Sequence, residues 1–194
     1  RLVGSEMCIR DRSSDRALHT LIFDDPECRP FYYKNGKSFK DYHKEGEIFW
    51  HKYVTYTEGM SDYWDYSFFN VSVIRYADVL LLYAECLNDK GETTEAINII
   101  NKVRARVNVP ALPLTMSKAE VLKHLQDKER PCELALEGSR WYDLVRWGIV
   151  EETLKAHNKP FVENYVDTKH QLFPIPHSEF LLNPDWEQNP NYSK

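Results

Sequence analysis

Ile74-Arg75-Tyr76-Ala77-Asp78-Val79-Leu80-Leu81-Leu82-Tyr83-Ala84-Glu85, running on through Cys86-Leu87-Asn88, decides the fold. Tyr76, Val79, Leu80, Tyr83, Ala84 and Leu87 recur at i, i+3, i+4, i+7, i+8 and i+11, the period of one helical face. Lys90-Gly91-Glu92 follows, with Gly91 placed to take the left-handed turn that ends a helix, and Thr93 or Thr94 is expected to cap a second helix carrying Ala96, Ile99, Ile100 and Val103. Two helices joined by so short a turn form a hairpin.

Working outward, small Ala84 and Ala96 near the crossing make the stretch 74–107 similar to a tetratricopeptide unit of about 34 residues. A lone unit cannot cover its own apolar face, so it requires neighbours. After the loop Asn108 to Pro113, Ser117 and Glu120 form a capping box that opens a third helix. Pro131 interrupts that helix, because it lacks an amide donor and its ring meets the carbonyl of Asp127; a kink, or a restart with Pro131 in the first turn, is expected. A long helix should then run to about Trp147. Pro174, Pro176, Pro184 and Pro190 predict an extended tail over 170–194.

The segment 20–70 differs in kind. From Phe31 to Phe69 there are 14 of the chain's 26 aromatics, with Gly36, Gly46 and Gly59 and no helical period, which predicts loops and short strands. The fold class expected is mainly α: tetratricopeptide-like hairpins, an irregular aromatic-rich loop region and an extended C-terminal tail. Sugar rings present apolar C–H faces to Trp and Tyr, while their hydroxyls need amides and carboxylates. Trp50, Tyr53, Tyr63, Trp64 and Tyr66, with Asp62 and Asn70 among them, supply both and are the candidate glycan-binding residues. The competing reading is that these rings fill space beneath the loops.

Bulk properties narrow the function. A chain of 194 residues favours one domain, and 25 Lys+Arg against 30 Asp+Glu leave a net charge of -5 and no basic field for nucleic acid. No apolar run nears the roughly 18 residues of a membrane-spanning helix, the longest being Val79 to Ala84. His157, His170 and His177 have no metal-ligand spacing, and no phosphate loop, dinucleotide fingerprint or nucleophile elbow occurs. No catalytic residue, cofactor or metal ligand is assigned.

The second decisive stretch is Glu129-Arg130-Pro131-Cys132-Glu133-Leu134-Ala135-Leu136-Glu137-Gly138-Ser139-Arg140-Trp141-Tyr142-Asp143-Leu144-Val145-Arg146-Trp147. With the 74–85 helix and the tail blocks Phe173-Pro174-Ile175-Pro176 and Asn183-Pro184-Asp185-Trp186, it resembles the SusD/RagB family over roughly residues 20–194. The resemblance implies the C-terminal portion, 13–194, of an oligosaccharide-binding outer-membrane lipoprotein. Such a protein would be surface-exposed, held to the membrane only by a lipid anchor on a preceding part, and would deliver its ligand to a TonB-dependent transporter. It would not be an enzyme. Residues 1–12 fit no family block and resemble a translated sequencing-adapter peptide. Without Cys8, the cysteines Cys28, Cys86 and Cys132 have no paired spacing and are expected to be buried free thiols.

Glu133 and Glu137 stand four apart beside Arg130 and Arg140, an arrangement expected to form an alternating ladder along one helix. Such a ladder lowers carboxylate pKa values instead of readying an acid for catalysis. Two rivals remain from other classes: a helical protein-interaction scaffold that touches no sugar, and a glycoside hydrolase using Asp62 and Asp65.

Overall fold

The computed structural model describes residues 15–24, 39–41, 43–53, 70 and 72–193, so Asp62, Tyr63, Trp64, Asp65 and Tyr66 lie outside the described residues. The chain divides into two compact units, Arg1–Arg140 and Trp141–Lys194, where its length alone suggested one domain.

In the first unit, helix α1 (Asp15–Thr20) runs straight into strand β1 (Leu21–Ile22), which pairs antiparallel with β2 (Phe49–Trp50), Leu21 opposite Trp50. A 3-10 turn lies at Phe39–Asp41. The hairpin is α2 (Tyr76–Asp89) and α3 (Thr93–Ala105). Ala77, Leu81, Ala84 and Leu87 of α2 interlock with Ala96, Ile97, Ile99, Ile100 and Val103 of α3, and Val121 and Leu125 close the core from below. The buried face of α2 is therefore one step round from the expected one: Ala84 and Leu87 point inward, while Tyr76, Val79 and Tyr83 are exposed.

The turn between the helices is built by Gly91 at φ +89°, whose N–H donates to Asn88 O while that of Glu92 donates to Leu87 O. This pair of bonds satisfies the last carbonyls of α2. The same pair recurs at Asn108, Gly148 and Asn158, each at positive φ. Helix α3 has Glu92 at its N-cap and no side-chain cap, contrary to the expected Thr93 or Thr94, because Thr93 is already the first helical residue. A Cβ at position 91 would meet no atom within 4 Å, so Gly91→Ala tests backbone conformation alone. It should lower unfolding free energy by about 1–2 kcal/mol in urea titrations, and an unchanged midpoint would show that the turn relaxes freely.

Helix α4 (Lys118–His124) begins with the expected capping box, Ser117 N donating to Glu120 Oε2 at 2.8 Å and Glu120 N donating to Ser117 Oγ at 3.3 Å. A π turn, Leu125–Glu129, then leads into the short α5 (Arg130–Glu133), with Pro131 in its first turn. The π turn is the fold's answer to Pro131: a wider ring relieves the clash that a straight α-helix imposes on the ring and the preceding carbonyls. The long helix expected through Trp147 does not form. Leu136 at φ 63° and Gly138 at φ +80° break it, and α6 (Arg140–Trp147) starts afresh.

The second unit follows within α6. Leu144 packs with Val150 and Leu154 of α7 (Val150–Ala156), and half-buried Trp141 meets the Tyr165 ring edge-on at 6.2 Å. After a 3-10 turn (Pro160–Asn164) come α8 (Asp167–His170) and α9 (His177–Leu182), so the tail expected to be extended contains a helix. Its irregular parts are tied together by Gln188, whose Oε1 accepts from Ile175 N at 2.8 Å and whose Nε2 donates to Ile175 O at 2.9 Å. One side-chain amide thus does for Ile175 what a neighbouring strand would do.

Candidate functional site

The residues that sequence reasoning placed in a helical charge ladder are instead the centre of a buried ionic network in the first unit. The break at Leu134–Gly138 removes Glu133 and Glu137 from a common helix face, and each finds its cations on distant parts of the chain. Glu129, fully buried, receives Arg16 Nη2 and Arg104 Nη1, both at 2.7 Å, and stands 2.8 Å from His124 Nε2. Glu133 pairs with Arg16 at 3.1 Å, Arg75 at 2.7 Å and Arg106 at 2.6 Å. Glu137 pairs with Arg75 at 2.7 Å and with Lys52. Arg130 turns to Asp78 of α2, 2.8 Å away. Five cations distant in sequence, Arg16, Lys52, Arg75, Arg104 and Arg106, meet on three carboxylates.

The electrostatics follow from this geometry. Burial alone pushes the Glu129 carboxyl up, but the His124 hydrogen bond and the charges of Arg16 and Arg104 outweigh it and hold the pKa at about 2. Glu137 also stays below the usual carboxylate range, burial being outweighed by its bonds from Arg75 and Lys52. Burial lowers the Lys52 pKa, partly offset by Glu137. Glu129 and Glu137, held ionised this way, accept hydrogen bonds, and neither is poised to give up a proton near neutral pH.

Lys52 is central to the site. Its Nζ donates to Glu133 O at 3.3 Å, to Ala135 O at 3.1 Å and to Glu137. All three acceptors lie at or beside the break over Leu134–Gly138, where the Glu133 and Ala135 carbonyls have no following helical turn to bond. Arg75, at the N-cap of α2, takes Glu137 Oε2 through Nε and Glu133 O through Nη2. Lys52, within the aromatic-rich segment, and Arg75, just after it, therefore converge on one carboxylate, Glu137. Lys52 and Arg75 gave no signal in the sequence beyond their charge, because their partners lie 85 and 62 residues away.

Of the candidate glycan-binding residues, three are described. Trp50 is half-buried on β2 against the apolar cluster of Leu18, Leu21, Phe23 and Cys132, a space-filling position. Tyr53 is half-buried at φ 69°, and Asn70 is exposed. Asp62, Tyr63, Trp64 and Tyr66 fall outside the described residues. Cys86 is exposed, where burial was expected, because it follows the outward face of α2; Cys132 is buried. Among the described residues no three His, Cys, Asp or Glu side chains come together to hold a metal ion.

Comparison with known proteins fits this architecture. The chain is 37% identical over 130 residues to SusD-like protein P38 of Formosa agariphila and 31% identical over 131 residues to SusD-like protein P2 of the same organism. Each match takes in 63% of this chain, which spans about a quarter of those curated relatives, 25% and 26%. Among solved structures, a SusD superfamily protein from Bacteroides vulgatus superposes with a TM-score of 0.69 at 29% identity, covering 91% of this chain and 39% of that one. A SusD homolog from Bacteroides thetaiotaomicron gives 0.64 at 25% identity, covering 97% and 43%. The SusD family model matches residues 30–192, both signature stretches and the tail included, and the chain belongs to the SusD family.

Proposed function

We propose that the protein captures an oligosaccharide at the cell surface and delivers it, uncleaved, to a TonB-dependent outer-membrane transporter. The observation that carries this reading is the family match over residues 30–192, which takes in the aromatic-rich segment as well as the helical scaffold. The family is known for glycan binding in nutrient uptake. The ionic network supports binding over hydrolysis, since Glu129, Glu133 and Glu137 are each committed to cations. It also holds Lys52, within the aromatic-rich segment, and Arg75, just after it, at Glu137. The protein would work as a lipoprotein of the outer membrane.

The test is calorimetry and affinity electrophoresis on a glycan panel, with product analysis of the same mixtures. Trp64→Ala or Tyr63→Ala should weaken binding by about 1–3 kcal/mol and leave the melting temperature nearly unchanged. Steady release of sugar ends, abolished by Asp62→Asn or Asp65→Asn, would make the protein a hydrolase and end this reading.

A further inference from the structure

The ionic network of the first unit does not balance. Among the described residues, the five cations Arg16, Lys52, Arg75, Arg104 and Arg106 meet three carboxylates, which leaves two positive charges over in a chain whose net charge is -5. Asp78 does not redress this, since it faces Arg130, and Asp15 accepts from Asn108 at 2.6 Å. The excess gathers at Glu133. Its Oε1 takes both Arg75 Nη1 at 2.7 Å and Arg106 Nη2 at 2.6 Å, and its Oε2 stands 3.1 Å from Arg16 Nε, so one negative charge is divided among three guanidiniums. Burial above all, and with it the Arg75 charge, pull the Lys52 pKa down against Glu137.

The five cations differ in what they have left to offer. Arg16 is buried, Lys52 spends its donors on Glu133 O, Ala135 O and Glu137, and Arg104 uses its Nε on Pro110 O at 2.8 Å. Arg75 and Arg106 face water, their side chains 27% and 59% exposed. Arg106 gives Nη2 to Glu133, and its Nε and Nη1 make no hydrogen bond among the described residues. A guanidinium is weakly hydrated and carries its donors in a planar fork that matches an oxyanion. Two of them side by side on one shared oxygen are suited to a second anion.

We propose that Arg75 and Arg106 form an anion subsite that takes a carboxylate or sulfate group carried by the glycan, so that the ligand is an acidic oligosaccharide. Arg75 follows the aromatic-rich segment and shares Glu137 with Lys52 of that segment, which ties the subsite to the residues assigned to sugar. A polyanion such as nucleic acid is disfavoured by the negative charge of the whole chain, whereas one anionic group meets only the local excess. The inference rests on the oligosaccharide reading for what carries the anion.

The test has two arms on the 194-residue chain. In the first, sodium sulfate is titrated calorimetrically against sodium chloride of equal ionic strength. Sulfate should bind saturably at one site, and Arg106→Gln should weaken it by about tenfold or more, the loss of a charge-assisted hydrogen bond. Arg106→Lys, which keeps the charge without the fork, should fall between, and it serves alone if the Gln variant does not fold. Lys102→Gln removes an exposed cation from the same helix and should change nothing. Absence of saturable binding, equal binding in both Arg106 variants and the native chain, or an equal loss in Lys102→Gln would overturn the subsite. In the second arm, uronate-bearing or sulfated oligosaccharides are compared with their carboxyl-reduced or desulfated counterparts. The acidic forms should bind about tenfold tighter, a preference that Arg106→Gln abolishes. A glycan bound without preference for its acidic form would overturn the subsite and leave the oligosaccharide reading standing. Sulfate held by Arg106 with no glycan bound would overturn that reading and, with it, the acidic ligand.

Discussion

Replacing Glu129 by Gln should lower the unfolding free energy by about 3–5 kcal/mol, the loss expected when one partner of a buried ion pair is removed and the others stay. The side chain is fully buried, and Arg16, itself only 6% exposed, cannot turn to water for a substitute. Gln preserves shape and one acceptor oxygen, so the change isolates charge from packing. It leaves Arg16 and Arg104 facing a neutral amide. Urea denaturation of the two proteins measures the difference, with Glu151→Gln as the control. Glu151 meets Lys155 on the exposed surface of α7 and should matter by less than about 0.5 kcal/mol. A loss at Glu129 no larger than at Glu151 would mean that the network holds nothing together.

Acid should destabilise the fold through the same group. Glu129 titrates at about 2 in the folded protein against an ordinary 4.5, so folding favours its ionised form. A depressed carboxylate pKa contributes stability that is complete above the unfolded value and is lost as pH falls through the folded one. The window is thus pH 4.5 down to about 2, and the shift of about 2.5 units corresponds to roughly 3 kcal/mol. Glu137 is displaced in the same direction and steepens the fall. Melting temperature followed from pH 6 to 2 should drop sharply for the native protein and much less for Glu129→Gln. Parallel curves for the two would assign the acid limb to other carboxylates.

Legibility followed the range of the interactions. The hairpin, its Gly91 turn and the Ser117 box were readable because each depends on residues within a few positions of one another. The restart at Pro131 was readable for the same reason, though not the π turn that achieves it. The ladder reading failed because helical spacing was assumed to continue through Leu136 and Gly138, both of which adopt left-handed backbone. Nothing local announces that Glu133 will meet Arg16 from one side and Arg106 from the other. Periodicity on α2 marked its apolar residues correctly but could not say which of two apolar faces would meet α3. The small residues Ala77 and Ala84 allow close approach and win the inner face, leaving Tyr76 and Tyr83 outside.

The convergence of Lys52 and Arg75 on Glu137 has an evolutionary consequence. Lys52 and Arg75 are held at one carboxylate, and lengthening a flexible connection whose two ends are so held raises its closure entropy only logarithmically, by about 0.6 kcal/mol for each doubling. A lineage can therefore change the length of the connection between Lys52 and Arg75 at little thermodynamic penalty while the scaffold is held to its charges. Variation should gather between Lys52 and Arg75 and be nearly absent at Glu137.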